Sequence, residues 1–160
     1  MATVSTLKQG GTGAGLGNFN TKQPGVVSVR LRGADAADAK GSALAANDLI
    51  QVCTIPAGTT VGFATLNVLT ADTGTTLTFD LGDGSTADEF VDGADGTTAG
   101  FAAQGTNGVF SQKILYTSAD VLQLKVVTAS SANDDWEVEV LFEVTDYNSK
   151  PRPQSAKDAG

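Results

Sequence analysis

Two stretches of this chain hold residues whose types and spacing could do chemistry. The first is DLGDGSTADEFVDGADG, residues 80–96, with five Asp and one Glu within sixteen positions. Carboxylates at that density offer the hard oxygen donors that Ca2+ takes. Asp80, Asp83 and Asp88 are the ligands such a site would use. The spacing is not that of an EF-hand loop, and the glycine–aspartate nonapeptide ladder is missing too. Solvated acidic loops are the commoner outcome. Gly82-Asp83-Gly84-Ser85-Thr86-Ala87 also fits the letters of a dinucleotide fingerprint. That motif works only by opening a helix toward a pyrophosphate, and here Asp92-Gly93 breaks the chain five residues later, with Asp83 adding charge of the wrong sign.

The second stretch surrounds the single cysteine, Cys53. A nucleophilic thiol needs an activating base, and the chain has no histidine at all. That removes Ser-His-Asp and Cys-His triads as well as the commonest metal ligand. Cys53 reads as an inert buried thiol, and a lone cysteine suits a reducing compartment. A carboxylate pair could still hydrolyse glycosides. Sugar sites stack their ligands on aromatics, however, and Trp136 and Phe142 share the inward side of a strand pattern, which assigns them to the core. These residues therefore predict no enzyme and no cofactor.

What must position any functional residue is a set of strands. VVSVRLR (26–32) alternates, with Val27, Val29 and Leu31 on one face and Ser28, Arg30 and Arg32 on the other. TTLTFDL (75–81) sends Leu77, Phe79 and Leu81 inward and Thr76, Thr78 and Asp80 outward. VLQLKVV (121–127) and WEVEVLFEV (136–144) alternate in the same way, the latter with Glu137, Glu139 and Glu143 outward. Runs at 49–55 and 61–69 flank Ile55-Pro56-Ala57-Gly58, a turn in which Pro56 presets the second position and Gly58 the fourth. Further strands are expected at 109–116 and, briefly, at 87–91. ADAADAKGSALAA (34–46) predicts one or two helical turns, interrupted by Gly41. Short alternating strands without crossover helices predict an all-β antiparallel sandwich, with a jelly roll as its specific form.

The ends differ from this body. Residues 1–25 include GGTGAGLG and form an extended N-terminal arm whose apolar residues are Val4, Leu7, Leu16 and Phe19. Residues 147–160 form a polar tail with Pro151 and Pro153, and residues 26–146 are the sandwich domain. Lys8, Lys22, Arg30, Arg32 and Lys40 fall in the first forty residues and Lys150, Arg152 and Lys157 in the last fourteen, whereas 41–112 holds no Lys or Arg. The net charge of −8 argues against direct nucleic-acid binding. No apolar run reaches the ~20 residues of a membrane-spanning helix, and MATVSTLKQGG has no apolar signal-peptide core. Basic ends on an acidic body suit a protein that grips another surface with its termini.

From Asn47-Asp48-Leu49-Ile50 through IPAGTTVGFATLNVL to TFDLGDGSTADEFVDG, the chain resembles the capsid decoration, or cement, proteins of tailed bacteriophages. The resemblance covers about residues 26–146 and rests on a pattern: strand, I-P-A-G turn, long strand, then a strand ending in a Gly-Asp loop. It implies a non-enzymatic virion protein, made in the host cytoplasm, that binds the capsid exterior and braces it. Its partners would be the major capsid protein and itself, as a homotrimer. Projected here, Val4, Leu7, Lys8, Leu16, Phe19, Lys22, Arg30, Arg32, Lys150 and Arg152 become the candidate contacts. Two other readings stay open: a tail or baseplate sandwich, and a carbohydrate- or cell-surface-binding module.

Overall fold

The computed structural model describes residues 3–5, 25–102 and 114–146. Among them the chain forms β1 (Thr3–Ser5), β2 (Gly25–Arg32), α1 (Gly33–Lys40), β3 (Leu49–Ile55), β4 (Thr59–Thr70), β5 (Thr78–Asp83), β6 (Val91–Asp95), β7 (Gly100–Ala102), β8 (Ile114–Tyr116), β9 (Asp120–Thr128) and β10 (Glu137–Asp146). They build two sheets. One has the order β1-β3-β9-β5-β6; the other runs β2-β10-β4-β7, with β8 also pairing to β4. The protein is an all-β sandwich. Its chain crosses between sheets at most connections, so neither sheet is a contiguous piece of sequence.

Alternation explains the core. Val138, Val140, Phe142 and Val144 of β10 point into the sandwich opposite Val68, Leu66, Ala64 and Val61 of β4. From the other sheet, Ile50, Phe79, Leu81, Leu122, Leu124 and Val126 fill the same interior. Fully burying each such side chain is worth about 1.5–3 kcal/mol. The sheets meet where Phe79 packs edge-on against Trp136, with ring centroids 4.8 Å apart and planes at 69°. Gly33, at the junction of β2 and α1, backs onto this contact. A Cβ there would run into the Trp136 ring and the Asp134 carbonyl.

Several local expectations are met and several shift. The helix of two turns ends at Gly41, whose single N–H donates to both the Ala37 and Asp38 carbonyls and closes the C-terminus. The Pro56 turn is real but displaced by one residue. Thr59 N–H donates to the Pro56 carbonyl, so Gly58 occupies the third position with φ of +85°, where a side chain would be strained. The short strand expected at 87–91 forms later, as β6. The strand expected at 109–116 is described only from Ile114 onward; its first half lies outside the described residues. Two elements have no counterpart in the alternation. β7 is three residues long, and β1 lies within the expected arm, pairing in parallel with β3 (Thr3 with Leu49, Ser5 with Gln51). The sandwich is therefore antiparallel except at that edge.

Gly33→Ala is expected to lower stability by about 1–3 kcal/mol through overpacking, and Phe79→Ala by about 3–5 kcal/mol. Urea unfolding followed by Trp136 fluorescence measures both.

Candidate functional site: the outer faces and loop ends of the sandwich

The outer face of the β2-β10 pair carries charge in rows, because cross-strand register sets the arginines of β2 against the glutamates of β10. Arg32 lies opposite Glu137, Arg30 opposite Glu139, Ser28 opposite Leu141 and Val26 opposite Glu143. Both arginines are about two-thirds exposed and lean on one carboxylate, Glu137, at 3.9 Å and 3.8 Å. Ser28 Oγ donates to Glu139 at 2.6 Å. Ion pairs this exposed contribute about 0–1 kcal/mol each, so either arginine could exchange its partner at little cost. Among the described residues β2 is also an edge strand, with one row of its backbone groups facing no described strand.

Of the other expected contacts, Val4 is on β1, where its backbone registers with Ile50. Leu7, Lys8, Leu16, Phe19, Lys22, Lys150 and Arg152 lie outside the described residues. Lys40, counted with the basic N-terminal end, is engaged within the body: Nζ donates to the Ala43 carbonyl at 2.8 Å and pairs with buried Asp48 at 2.5 Å.

The acidic middle departs most from the sequence reading. Asp80, expected on the outward face, is buried: Oδ1 accepts from Gly93 N–H at 3.0 Å and Oδ2 pairs with Lys125 at 3.3 Å. Asp83 is buried as well. Its Oδ1 accepts the N–H groups of Ser85 and Thr86 at 2.8 and 2.7 Å, and Oδ2 accepts the Tyr116 hydroxyl at 2.9 Å. Gln123, also expected outward, is drawn in because Nε2 donates to the Asp83 carbonyl at 2.7 Å. Asp88 is exposed. The amide groups that a phosphate would need in the Gly82–Ala87 segment are thus taken, those of Ser85 and Thr86 by Asp83 and that of Gly84 by Asp120 at 3.0 Å, and no helix follows the segment. Among the described residues, no group of three or more Asp, Glu or Cys is arranged to hold a metal.

Burial, reinforced by the Asp83 carboxylate, raises the Tyr116 phenol above the ordinary tyrosine range. Burial also raises the Cys53 thiol to about 11, which suits the inert reading. The Asp95 carboxyl is lowered by Thr97, through side chain and backbone, and by Thr98; it closes the turn leaving β6. Sequence reasoning missed one surface feature: Phe101 on β7 and Leu115 on β8 are exposed at the same edge of the sheet. The aromatics that alternation places, Phe79, Trp136 and Phe142, do face inward, whereas Phe101, which no pattern placed, is exposed. Its strand of three residues gives too few positions for alternation to register. Among the described residues, no helix is long and apolar enough to cross a membrane.

No protein-family model and no curated protein matches the chain. Solved structures do. A chain from the capsid of Ralstonia phage GP4 superposes with a TM-score of 0.63 at 16% identity, over 91% of this chain and 98% of that one. A chain from the capsid asymmetric unit of cyanophage Pam1 gives 0.57 at 19% identity, over 88% and 92%. One from the acid-stable capsid of Helicobacter pylori bacteriophage KHP30 gives 0.51 at 13% identity, over 76% and 86%. The fold is one found in phage capsids. At these identities, it is the fold that is shared.

Tyr116→Phe leaves a buried Asp83 oxygen short of a donor and should cost about 1–2 kcal/mol. Because the folded-state pKa of Tyr116 is raised, its contribution is complete below the unfolded value of about 10 and fades as pH rises above it. Urea midpoints from pH 8 to 11 should therefore converge for the two proteins at the alkaline end.

Proposed function

We propose that this chain is a non-enzymatic structural protein of a bacteriophage virion that binds the exterior of an assembled capsid and reinforces it. The observation that carries the reading is the near full-length correspondence with whole chains from phage capsids, 98% of one and 92% of another. A match of that extent is to a complete subunit rather than to a shared fragment. The interleaving of the two sheets supports a jelly-roll winding of the body.

Docking onto a shell, rather than forming one, is favoured by the division of charge. The body is acidic, while Lys8, Lys22, Lys150 and Arg152 lie in the segments that flank it. Arg30 and Arg32 extend that basic set onto the β2 edge, held by weak pairs alone. In this reading the charges steer the encounter with a major capsid protein. Burial of Val4, Leu7, Leu16 and Phe19, at about 25 cal/mol per Å² of apolar surface, then supplies holding energy. Assembly as a homotrimer would multiply it through avidity. No site in this reading contacts nucleic acid or membrane.

Deleting residues 1–24 keeps Gly25, which pairs with Val144, and of the described strands removes only the three-residue β1. The truncated protein should keep its β-type circular dichroism and fail to co-sediment with capsids stripped of this protein. Folded truncated protein that still sediments with capsids would refute the arm as the clamp. Deletion of 147–160 tests the tail in the same assay.

A further inference from the structure

Sheet edges are ordinarily blunted, because a row of free backbone groups is a template for pairing with another chain. Four of the described edge elements are blunt by length: β1, β7 and β8 have three residues each and β6 has five. β2 is the exception. It runs for eight residues in unbroken register with β10, from Arg32 opposite Glu137 to Gly25 opposite Val144, with neither a bulge nor a proline. Among the described residues, no strand pairs with its other side.

The side chains along this edge are incomplete on both faces. Inward, Val27 and Val29 pack against the core yet stay only half-buried. Outward, Val26 is 63% exposed. Arg30 and Arg32 both lean on Glu137, although the register sets Arg30 opposite Glu139. Glu139 instead accepts the Ser28 hydroxyl at 2.6 Å, which draws its carboxylate toward the β2 edge, two residues along from Arg30. A cation arriving beside Ser28 from across the edge would meet that carboxylate.

We propose that the β2 edge is a two-fold contact between copies of this chain, with β2 pairing antiparallel to β2 of a second copy about Val29. Ser28 then lies opposite Arg30 of the second copy, Val27 opposite its Leu31 and Val26 opposite its Arg32. Paired strands are about 4.8 Å apart, so each Arg30 reaches the Glu139 carboxylate that Ser28 holds, twice per contact by symmetry. The aliphatic stem of Arg32 covers the exposed Val26. Inward, Val29 meets its own counterpart and Val27 meets Leu31, which closes the half-open end of the core. Neighbouring registers that keep the faces in phase do less. Centring on Arg30 sets that charge against itself, and centring on Ser28 carries Arg32 past Gly25, off the end of the strand. The edge is self-complementary, as an isologous contact requires. The pairing rests on the register and charge of β2 and not on the capsid reading, so either can fail without the other.

The test is made in solution on the full-length protein, without capsids, by sedimentation velocity over a range of concentrations. Wild type should form an even-numbered species: a dimer, or a hexamer where trimers join through this edge. Arg30→Glu and Glu139→Arg, both at outer-face positions, should keep the β-type circular dichroism. Each alone sets like charges together twice per contact and should dissociate at least about tenfold more readily. An equimolar mixture of the two should regain wild-type association, because every reversed charge then meets its opposite across the edge. Misfolding of either variant cannot produce that restoration. A wild type that stays monomeric, or an isolated trimer, at its highest soluble concentration overturns the proposal. So do single variants that associate as wild type does, or a mixture no tighter than its components.

Discussion

The apolar seam between the two sheets is the contact on which the rest of the molecule depends. Phe79 comes from one sheet and Trp136 from the approach to the other, and their edge-on packing sits where Gly33 lets the β2–α1 junction close over them. Because the chain alternates between sheets, almost every connection must pass an end of this seam. The loops therefore cannot be arbitrary. They are tied down by short-range hydrogen bonds, and the residue that most often makes them is aspartate. Asp83 gathers the β5–β6 loop and β8; Asp134 accepts Leu44 N–H at 3.0 Å and joins the α1–β3 loop to the entry of β10.

That arrangement explains which parts of the structure were legible in the sequence. Strands with one face on the seam and one in water alternate at period two, and β2, β9 and β10 could be read almost to their ends. β3 could be read from its apolar run. Edge elements were not legible. β1 and β7 span three residues each, too few for a period, and β1 is held by backbone pairing, to which side-chain pattern is blind. The turn at Pro56 was recognised by its residues, yet the position of Gly58 in it depends on which carbonyl accepts the Thr59 amide, a choice made by register.

The acidic residues were misread for a physical reason. A carboxylate is ordinarily a surface group, so the sequence pattern assigns Asp80 and Asp83 to solvated charge together with Asp88, Asp92 and Asp95. Half of the eight acidic residues between 41 and 112 are in fact buried, and most satisfy backbone amides that loops leave unpaired. Short side chains at loop ends beside Gly, Ser and Thr can signal such capping, but composition alone counts them as field. The functional consequence is that the external charge of the body is patchier than net charge suggests. Its outer face is ordered in rows, with Arg30 and Arg32 beside the glutamates of β10. Surface pairs of this kind orient a partner better than they retain it. In the proposed reading, retention would fall to apolar contacts and to the number of copies engaged at once.

The central claim is that this sandwich is a subunit carried on the outside of a phage capsid. A cryo-microscopy reconstruction of the assembled particle tests it most directly. The account predicts density for the two-sheet body on the exterior of the shell, with residues 1–24 reaching onto the major capsid protein. Density confined to the tail or baseplate, or a particle in which this chain itself closes the shell, would contradict it.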